Sequence, residues 1–444
     1  MFNLNGLYLF LIFVQIVVIF FPQLLIVQAL FIFSIGLVYS FKANDLKVIK
    51  VISFISGSEV YYKQSAVGEI GSSVPWEFPK YAIFLICILF FLSSFESKRY
   101  YSFSILIYSF LIFISVLYTL LLNEITFEGV KSIMGFYVMG PFALGATILA
   151  FDNVKISLYD FKIIILYYAA GIFPAIIFLL KNLSIYSTIK VIVDSNKQFS
   201  GYGPIHVSLA ISFLIGLLII SIIKYHLWKN VILPYIVIVI SFVLMMLTFS
   251  RSGFYALLPS VFIAFLYQPK NIKSILSVAL ISIVSLIIIL TKLNNFTNDA
   301  LQLRYTIEEN DPRFALMKSD FDAWLDNPVL GAGFGRAKKY RERENRGLVS
   351  HNEISRFLAE QGILGFFCIL IILSIVIDRI KRERLKLFMP YILFLTIFSF
   401  IFFNSNAFRL YLPGFSLGLV FLSVNQTENH YSRKPNLTEN KKAY

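Results

Sequence analysis

The stretch PIHVSLAISFLIGLLIISIIKYHLWKN (204–230) decides the fold class, because a long apolar run is followed at once by a basic connector. A helix of about 20 apolar residues crosses a bilayer, and a run that is apolar on every face does not suit the surface of a soluble protein. The 444-residue chain repeats this pattern, with 58% hydrophobic and 14% charged residues, against about 25% charged residues in ordinary soluble domains. The sequence therefore predicts an all-α polytopic integral membrane protein.

Basic connectors orient the predicted helices. Apolar runs begin near residues 4, 24, 81, 103, 129, 163, 204, 231, 253, 273, 361, 387 and 410. The connectors at 96–101, 152–162, 224–230, 268–273 and 378–386 all fall on one side, which the positive-inside rule makes the cytoplasm. The connector KANDLKVIK (42–50) also suits that side, so the run from about Leu46 to Ser58 is expected to be a thin, tilted or re-entrant crossing. We expect roughly 12 to 14 spanning helices with both termini inside.

This pattern divides the chain into four parts. Transmembrane helices occupy 1–291, a large periplasmic loop 292–360, further transmembrane helices 361–424, and a basic cytoplasmic tail 425–444. The net charge of +14 is explained by the cytoplasmic connectors, so it predicts no nucleic-acid partner. Cys87 and Cys368 are expected as buried apolar side chains, and the four histidines are too widely scattered to predict a metal site.

The loop at 292–360 carries the first candidate for chemistry. Its stretch Ser350-His351-Asn352-Glu353 fits a capping box, with Ser350 as the N-cap of a helix that begins at His351. Backbone N–H groups and the positive end of the helix dipole would then face an anion. They would also keep His351 neutral at about pH 7, able to accept a proton from an attacking hydroxyl. The alternative is a surface histidine at the membrane interface.

Two arginines are candidates for binding an anion. Arg251, in FSRSGFY, lies in a tight connection on the outer face, where a lone cation works against the positive-inside rule; the alternative is an arginine that reaches lipid headgroups. Arg313 begins an amphipathic helix predicted to end at Leu325, which is able to lie on the membrane plane. The apolar face of that helix is predicted to carry Phe314, Met317, Phe321 and Leu325.

Glycines and charges follow that helix. The glycines of GAGFG (331–335) allow close approach of a ligand or, alternatively, form a flexible turn. The basic run RAKKYRERENR (336–346) fits a solvated face beside lipid headgroups equally well as a site for an anionic lipid-linked substrate. Asp320, Asp322 and Asp326 are expected to be solvated rather than catalytic.

Three motifs in this order resemble the bacterial O-antigen polymerase and O-antigen ligase superfamily. They are SRSG (250–253), R-x-x-L-M (313–317) with NPVLGAGFG (327–335), and SHNEISRFLAEQGILG (350–365), where Ile354 replaces the more usual leucine or tyrosine. The resemblance covers roughly 200–380, and the hydrophilic stretch 58–80 matches nothing in it.

The resemblance implies an inverting membrane glycosyltransferase that needs no cofactor and acts on an undecaprenyl-diphosphate-linked oligosaccharide. It implies His351, Arg251 and Arg313 as the catalytic residues, at the periplasmic face of a bacterial inner membrane. Membrane lipids and a chain-length regulator protein are the further partners expected. The candidate substrate-binding residues are Gly331, Gly333, Arg336, Lys338, Lys339, Asn352, Glu353 and Arg356.

We favour a polymerase, because a composition rich in Phe, Ile and Lys is typical of proteins encoded in AT-rich surface-polysaccharide gene clusters, and polymerases are the most divergent members of such clusters. A ligase that transfers the glycan to lipid A-core is the alternative within the family, and a protein oligosaccharyltransferase would be expected to carry a soluble domain after the last spans. A flippase for lipid-linked glycans is the alternative of another class; it predicts charges spread through many spans and no dominant outer loop.

Overall fold

The computed structural model shows an all-α bundle. It describes residues 6–42, 44–65, 74–94, 100–122, 133–183, 200, 203–267, 291, 312–343, 352–383, 387–405 and 410–424, without the side chains at 74–76, 136, 312–314 and 343. In these ranges, five helices are long and apolar enough to cross a membrane, and five shorter apolar helices accompany them. The predicted fold class is confirmed. The predicted span near residue 273 lies outside the described residues.

The helices of the first half are α1 (Gly6–Phe20), α2 (Leu25–Phe41), α3 (Asp45–Ser65), α4 (Val74–Ser93), α5 (Ser102–Leu121), α6 (Met139–Phe151) and α7 (Leu158–Lys181). Those of the second half are α8 (Pro204–Ile223), α9 (Ile232–Leu247), α10 (Arg251–Leu266), α11 (Pro312–Asp326), α12 (Lys338–Arg343), α13 (Glu353–Glu383), α14 (Met389–Ser405) and α15 (Leu412–Val420). A π-helical turn, Met134–Val138, leads into α6. Strands β1 (Lys155–Ile156) and β2 (Ser423–Val424) pair in parallel.

The apolar helices differ in how much of their surface the protein itself covers. Helix α8 is almost entirely buried, whereas α2 and α5 bury about a third of their residues. On α5, Phe103 and Leu121 are 75% and 86% exposed. Such faces suit contact with hydrocarbon, where every backbone group must be satisfied inside the helix.

The predicted cytoplasmic connectors meet at one end of the bundle. The Tyr101 amide donates to Asp152 at 2.8 Å, and the Tyr101 hydroxyl donates to Asp378 at 2.9 Å. The Lys162 ammonium donates to the Leu227 carbonyl at 2.8 Å. We call this the inner end and the opposite one the outer end. The alternation of connectors expected from the charges is therefore seen in the packing.

Helix α3 corrects the expectation of a thin or re-entrant crossing. It is a continuous helix of 21 residues, and almost all of them are buried. Its Gly57 meets Gly171 of α7 so closely that a Cβ on either would overlap backbone of the other helix. The prediction was wrong because other helices surround α3, which buries its serines together with Glu59 and Lys63.

Four charged side chains lie between α3 and α4, in the hydrophilic stretch 58–80. Glu59 and Lys63 pair at 3.5 Å, and Glu77 and Lys80 pair at 2.7 Å. The Tyr411 amide also donates to Glu59, at 2.6 Å. Glu59, Lys63 and Lys80 are fully buried. Charge is therefore not confined to the outer loop.

Candidate active site at the outer end of the bundle

Two contacts bring four helix ends together at the outer end. The Ser208 hydroxyl of α8 donates to the carbonyl of Ser250, which precedes α10, at 3.2 Å. The side-chain Nδ2 of Asn352, which precedes α13, donates to the side-chain oxygen of Asn404 near the end of α14 at 2.7 Å. Helix α14 packs against both α10 and α13. The starts of α10 and α13 are therefore neighbours of the same helix.

Arg251 is the first residue of α10 and is half-buried. Ser250 caps the helix, since its hydroxyl accepts the Ser252 amide at 3.4 Å. Among the residues that the structure describes, none pairs with the Arg251 guanidinium. A free guanidinium beside the unpaired N–H groups of a helix start is a suitable site for an anion.

Close packing between α10 and α8 explains why the SRSG motif ends in a glycine, Gly253. A Cβ at this position would lie 2.6 Å from the Ser208 carbonyl oxygen. Only glycine therefore allows α10 to approach α8 this closely. The motif combines a packing residue with a candidate binding residue.

The other two predicted catalytic residues are placed only in part. His351 lies outside the described residues, and the side chain of Arg313 is not described. The backbone of Arg313 lies in the first turn of α11, which packs against α13. One turn later, the Met317 sulfur is 3.9 Å from the side-chain Nδ2 of Asn352. The start of α11 is thus close to the residue that follows His351 in the chain.

The helix expected to begin at His351 begins at Glu353 instead. Asn352 is its cap, because the Asn352 side-chain oxygen accepts the amides of Ile354 and Ser355 at 2.9 and 3.2 Å. The predicted capping box is wrong, since asparagine caps as well as serine and Glu353 instead pairs with Arg356. Ser350 lies outside the described residues.

Buried ion pairs lie within the first turns of α13 and beside them, and the Ser355 hydroxyl joins α13 to one of these pairs. Arg356 is buried and lies between Glu353 and Glu360, with its Nε 3.8 Å from the latter carboxylate. Arg341 pairs with Asp320 at 2.9 Å, and the Ser355 hydroxyl also donates to Asp320, at 2.8 Å. Burial and pairing give Arg356 a structural role here, whereas it was expected to bind substrate. A buried pair of this kind is costly to break.

Asp320 corrects the expectation of a solvated carboxylate, since it is fully buried. Of the other two, Asp322 is half-buried and Asp326 is exposed. The predicted apolar face of α11 is not the face packed against the protein: Phe321 and Leu325 are 37% and 70% exposed, as suits a face that lies on the membrane plane, while Leu316, Asp320 and Ala323 are buried. The helical period was right, but the packed face contains the charged residue.

The glycine loop is held by backbone hydrogen bonds to a break in α13. Gly362, at φ +59°, interrupts that helix. The carbonyls of Ala359 and Glu360 accept the amides of Ala332 and Gly333 at 2.8 and 3.0 Å, and the Ile363 amide donates to the Pro328 carbonyl at 2.9 Å. The loop thus satisfies groups that a continuous helix would pair internally.

Gly331 and Gly333 both have positive φ, +71° and +91°. A Cβ on Gly331 would overlap the Glu360 backbone, so its close approach is to the protein's own α13. A Cβ on Gly333 would lie 3.3 Å from the Thr119 hydroxyl and 3.4 Å from the Arg336 side chain, so it would meet side chains at close range but no backbone. The Gly335 amide donates to Glu360 at 3.1 Å. The loop is therefore an ordered part of the site rather than a flexible turn.

The basic run is divided by its contacts. Arg336 is half-buried and donates to the Leu122 carbonyl. Lys338 pairs with Glu342 at 3.1 Å, both about half exposed. Lys339 is exposed. The lysines are thus solvated, as one of the two interpretations of this run expected.

The central part of the chain matches a known family. Residues 236–370 match the family model described as O-Antigen ligase. Over this segment, which is less than a third of the chain, the protein is similar to the O-antigen ligase family. The segment begins in α9 and ends in α13, and it contains all three motifs that resembled the superfamily. No curated protein matches the chain.

Members of the O-antigen ligase family are membrane glycosyltransferase-like enzymes. The buried Asp320–Arg341 ion pair, which lies within residues 236–370, was not predicted from the sequence. The signal that could have found it is the spacing Leu316, Asp320, Ala323, which places a carboxylate between two apolar residues on one helix face. Among the residues that the structure describes, no cluster of side chains could hold a metal ion.

A partly open apolar cleft descends from the start of α13. It holds about 420 Å³ of empty space, part of which is open to the surroundings, and it lies between α5, α6, α13 and α14. Glu353 and Ile354 lie at its outer end, and Tyr108 and Ile372 lie deeper. The remaining lining residues are Leu144, Phe357, Cys368, Ile369, Phe400 and Phe403. The cleft thus joins the candidate site to the interior of the bundle.

Proposed function

We propose that this protein is a polymerase of lipid-linked surface polysaccharide, with its active site at the outer end of the bundle. The observation that carries the proposal is the half-buried Arg251 guanidinium at the start of α10, a helix that packs, like α13, against α14 and lies within the O-antigen ligase segment. His351 and Arg313 complete the proposed site, in agreement with the motifs around them.

In the proposed reaction, an acceptor hydroxyl attacks the anomeric carbon of the donor's first sugar. A carbon–oxygen bond forms there while the bond from that carbon to the diphosphate breaks, which inverts the configuration. The hydroxyl proton passes to His351, and the lipid diphosphate leaves with the electron pair. Arg251 and Arg313 stabilise the charge that develops on the phosphate oxygens, since a guanidinium binds phosphate through two parallel hydrogen bonds.

The apolar cleft supports a donor carried by an isoprenoid lipid such as undecaprenyl diphosphate. It starts at Glu353, one residue after Asn352, and continues among the helices towards Ile372. A diphosphate at the outer end would then leave its hydrocarbon tail in apolar surroundings, which burial of apolar surface favours.

Location and partners are part of the proposal. The convergence of the basic connectors at the inner end supports a bacterial inner-membrane protein whose loop 292–360 faces the periplasm. We propose membrane lipids and a chain-length regulator protein as further partners, and the exposed Lys338 and Lys339 as contacts for lipid headgroups or the substrate.

The test is a gene deletion followed by gel separation of the surface glycan. A polymerase predicts loss of the chain-length ladder while one repeat unit remains attached to the core. If no repeat unit remains attached and long glycan accumulates on its lipid carrier, the protein is the ligase that its family description names, and polymerase is wrong.

A substitution separates an enzyme from a flippase. Buried charges in α3 and α4 show that the distribution of charge alone does not distinguish the two classes. His351→Ala should remove the ladder, because loss of a general base lowers rates by about 100- to 10,000-fold. A ladder of normal length at normal protein levels would refute the catalytic assignment.

A further inference from the structure

The four charged residues between α3 and α4 lie outside the O-antigen ligase segment, yet they are connected to it. Charged side chains inside membrane helices are costly and commonly have a function. Lys80 is fully buried and pairs with Glu77 at 2.7 Å. Its ammonium also donates to the Gly135 carbonyl at 3.3 Å. This second contact ties α4 to the π-helical turn before α6.

The π-helical turn is an unusual local structure. Such turns insert an extra residue into a helix and often occur at functional sites. Gly135 lies in this turn, and a Cβ built on it would be 3.4 Å from the Glu77 side chain. The turn is therefore packed against the Glu77–Lys80 pair as well as bonded to it.

Tyr137, in the same turn, reaches the candidate active site. Its ring lies 5.3 Å from the Arg356 guanidinium, a distance at which cation–π attraction acts. A Cβ built on Gly335 would lie 3.1 Å from the same ring. Tyr137 therefore contacts both α13 and the glycine loop.

Arg356 connects Tyr137 with the first turns of α13. It pairs with Glu353, which follows the Asn352 cap, and with Glu360, which accepts the Gly335 amide. A continuous series of contacts thus leads from Lys80 through Gly135 and Tyr137 to the residues that hold the start of α13.

We propose that Lys80 is a positioning residue for the active site, acting through Tyr137 on Arg356. This inference rests on the proposed function, because the residue to be positioned is His351, directly before the cap of α13. Lys80 fixes the π-helical turn, the turn fixes the Tyr137 ring over Arg356, and Arg356 fixes the first turn of α13. Loss of Lys80 misplaces the base without removing it.

The test uses full-length protein in membranes, supplied with lipid-linked repeat units extracted from a strain that lacks the gene. Lys80→Met should lower kcat by between about tenfold and a hundredfold, as expected for a small misplacement of a catalytic group, and change KM little. Lys80→Arg should restore most of the rate. The same rate in Lys80→Met as in wild type would overturn the inference.

Lys162→Met is the matched control. Lys162 is also buried, donates to a backbone carbonyl and stacks on an aromatic ring, that of Trp228, but it lies at the inner end. Its loss should leave kcat unchanged at equal protein level. A drop equal to that of Lys80→Met would show a general effect of buried lysines and overturn the inference.

Single and double substitutions at Lys80 and Tyr137 test whether Lys80 acts through Tyr137. Tyr137→Leu should lower kcat and Tyr137→Phe, which keeps the ring, should not. If Lys80 acts through Tyr137, the double variant Lys80→Met/Tyr137→Leu is no slower than the slower single variant. Losses that multiply would overturn the proposal.

Two further variants distinguish a failure of the role of Lys80 from misfolding and from a failure of the proposed function. Glu77→Gln/Lys80→Met removes both charges and leaves no buried carboxylate without its lysine, so it replaces Lys80→Met if that variant does not fold. An active His351→Ala would refute the proposed function itself. An inactive His351→Ala beside a fully active Lys80→Met would refute only the role of Lys80.

Discussion

Replacing Gly331 by alanine tests whether the glycine loop and the break in α13 form one unit. Left-handed backbone costs a residue with a Cβ about 1 to 2 kcal/mol. The new Cβ would also overlap the Glu360 backbone. The loop must then withdraw, which breaks the bonds from Ala332 and Gly333 to α13 at 2.8 and 3.0 Å, each contributing about 1 kcal/mol. Gly331→Ala should therefore lower the free energy of unfolding by about 3 to 4 kcal/mol.

Thermal unfolding of the purified protein in detergent measures this loss. For a chain of this length, a change of 1 kcal/mol shifts the melting temperature by about 1 °C, so a shift of about 3 to 4 °C is expected. Gly333 has positive φ too, but the neighbours of its new Cβ are side chains that can shift rather than backbone, so Gly333→Ala should lose only about 1 to 2 kcal/mol. Gly6→Ala, with nothing near its Cβ, should lose nothing. Equal melting temperatures for Gly331→Ala and Gly333→Ala would refute the proposed unit.

Two further predictions concern single contacts. Arg251→Lys should lower the polymerisation rate about tenfold or more, because a lysine ammonium cannot bind phosphate through two parallel hydrogen bonds. Arg382→Lys, at the inner end, is the control and should leave the rate unchanged. An unchanged rate for Arg251→Lys would exclude its role in binding the diphosphate. Asp320→Asn should destabilise the protein by about 3 to 5 kcal/mol, because Arg341 is left buried without its charge partner. The double variant Asp320→Asn/Arg341→Met should recover part of that loss in thermal unfolding, and no recovery would contradict the pairing.

The spanning helices could be predicted from the sequence because a helix surrounded by hydrocarbon needs one property, a long run of apolar residues. The run expected from 204 is helix Pro204–Ile223, and the run expected near 387 begins at Met389. Helix α3 could not be predicted in this way. Its Glu59 and Lys63 are compatible with the bundle only because neighbouring helices surround them, and hydropathy contains no information on neighbours.

The candidate site could be predicted where a single physical requirement dictates the residue type. Glycine at 331 is required by a positive φ and a close backbone, and the sequence correctly marked this loop as special. It did not show that the close partner is α13 rather than a ligand. Asn352 and Ser350 are equally good caps, so the first residue of α13 depends on tertiary contacts such as that between Asn352 and Asn404.

The bond between Tyr411 and Glu59 has a consequence for biogenesis. The two residues are 352 positions apart, so Glu59 enters the membrane long before its backbone donor has been synthesised. During that interval Lys63, one turn further on the same helix, is the partner already present for its charge. Assembly of the N-terminal bundle is therefore completed only when the last helices leave the ribosome. A chain that ends before Tyr411 lacks its final spans and also leaves a defect at the centre of the bundle it has already built.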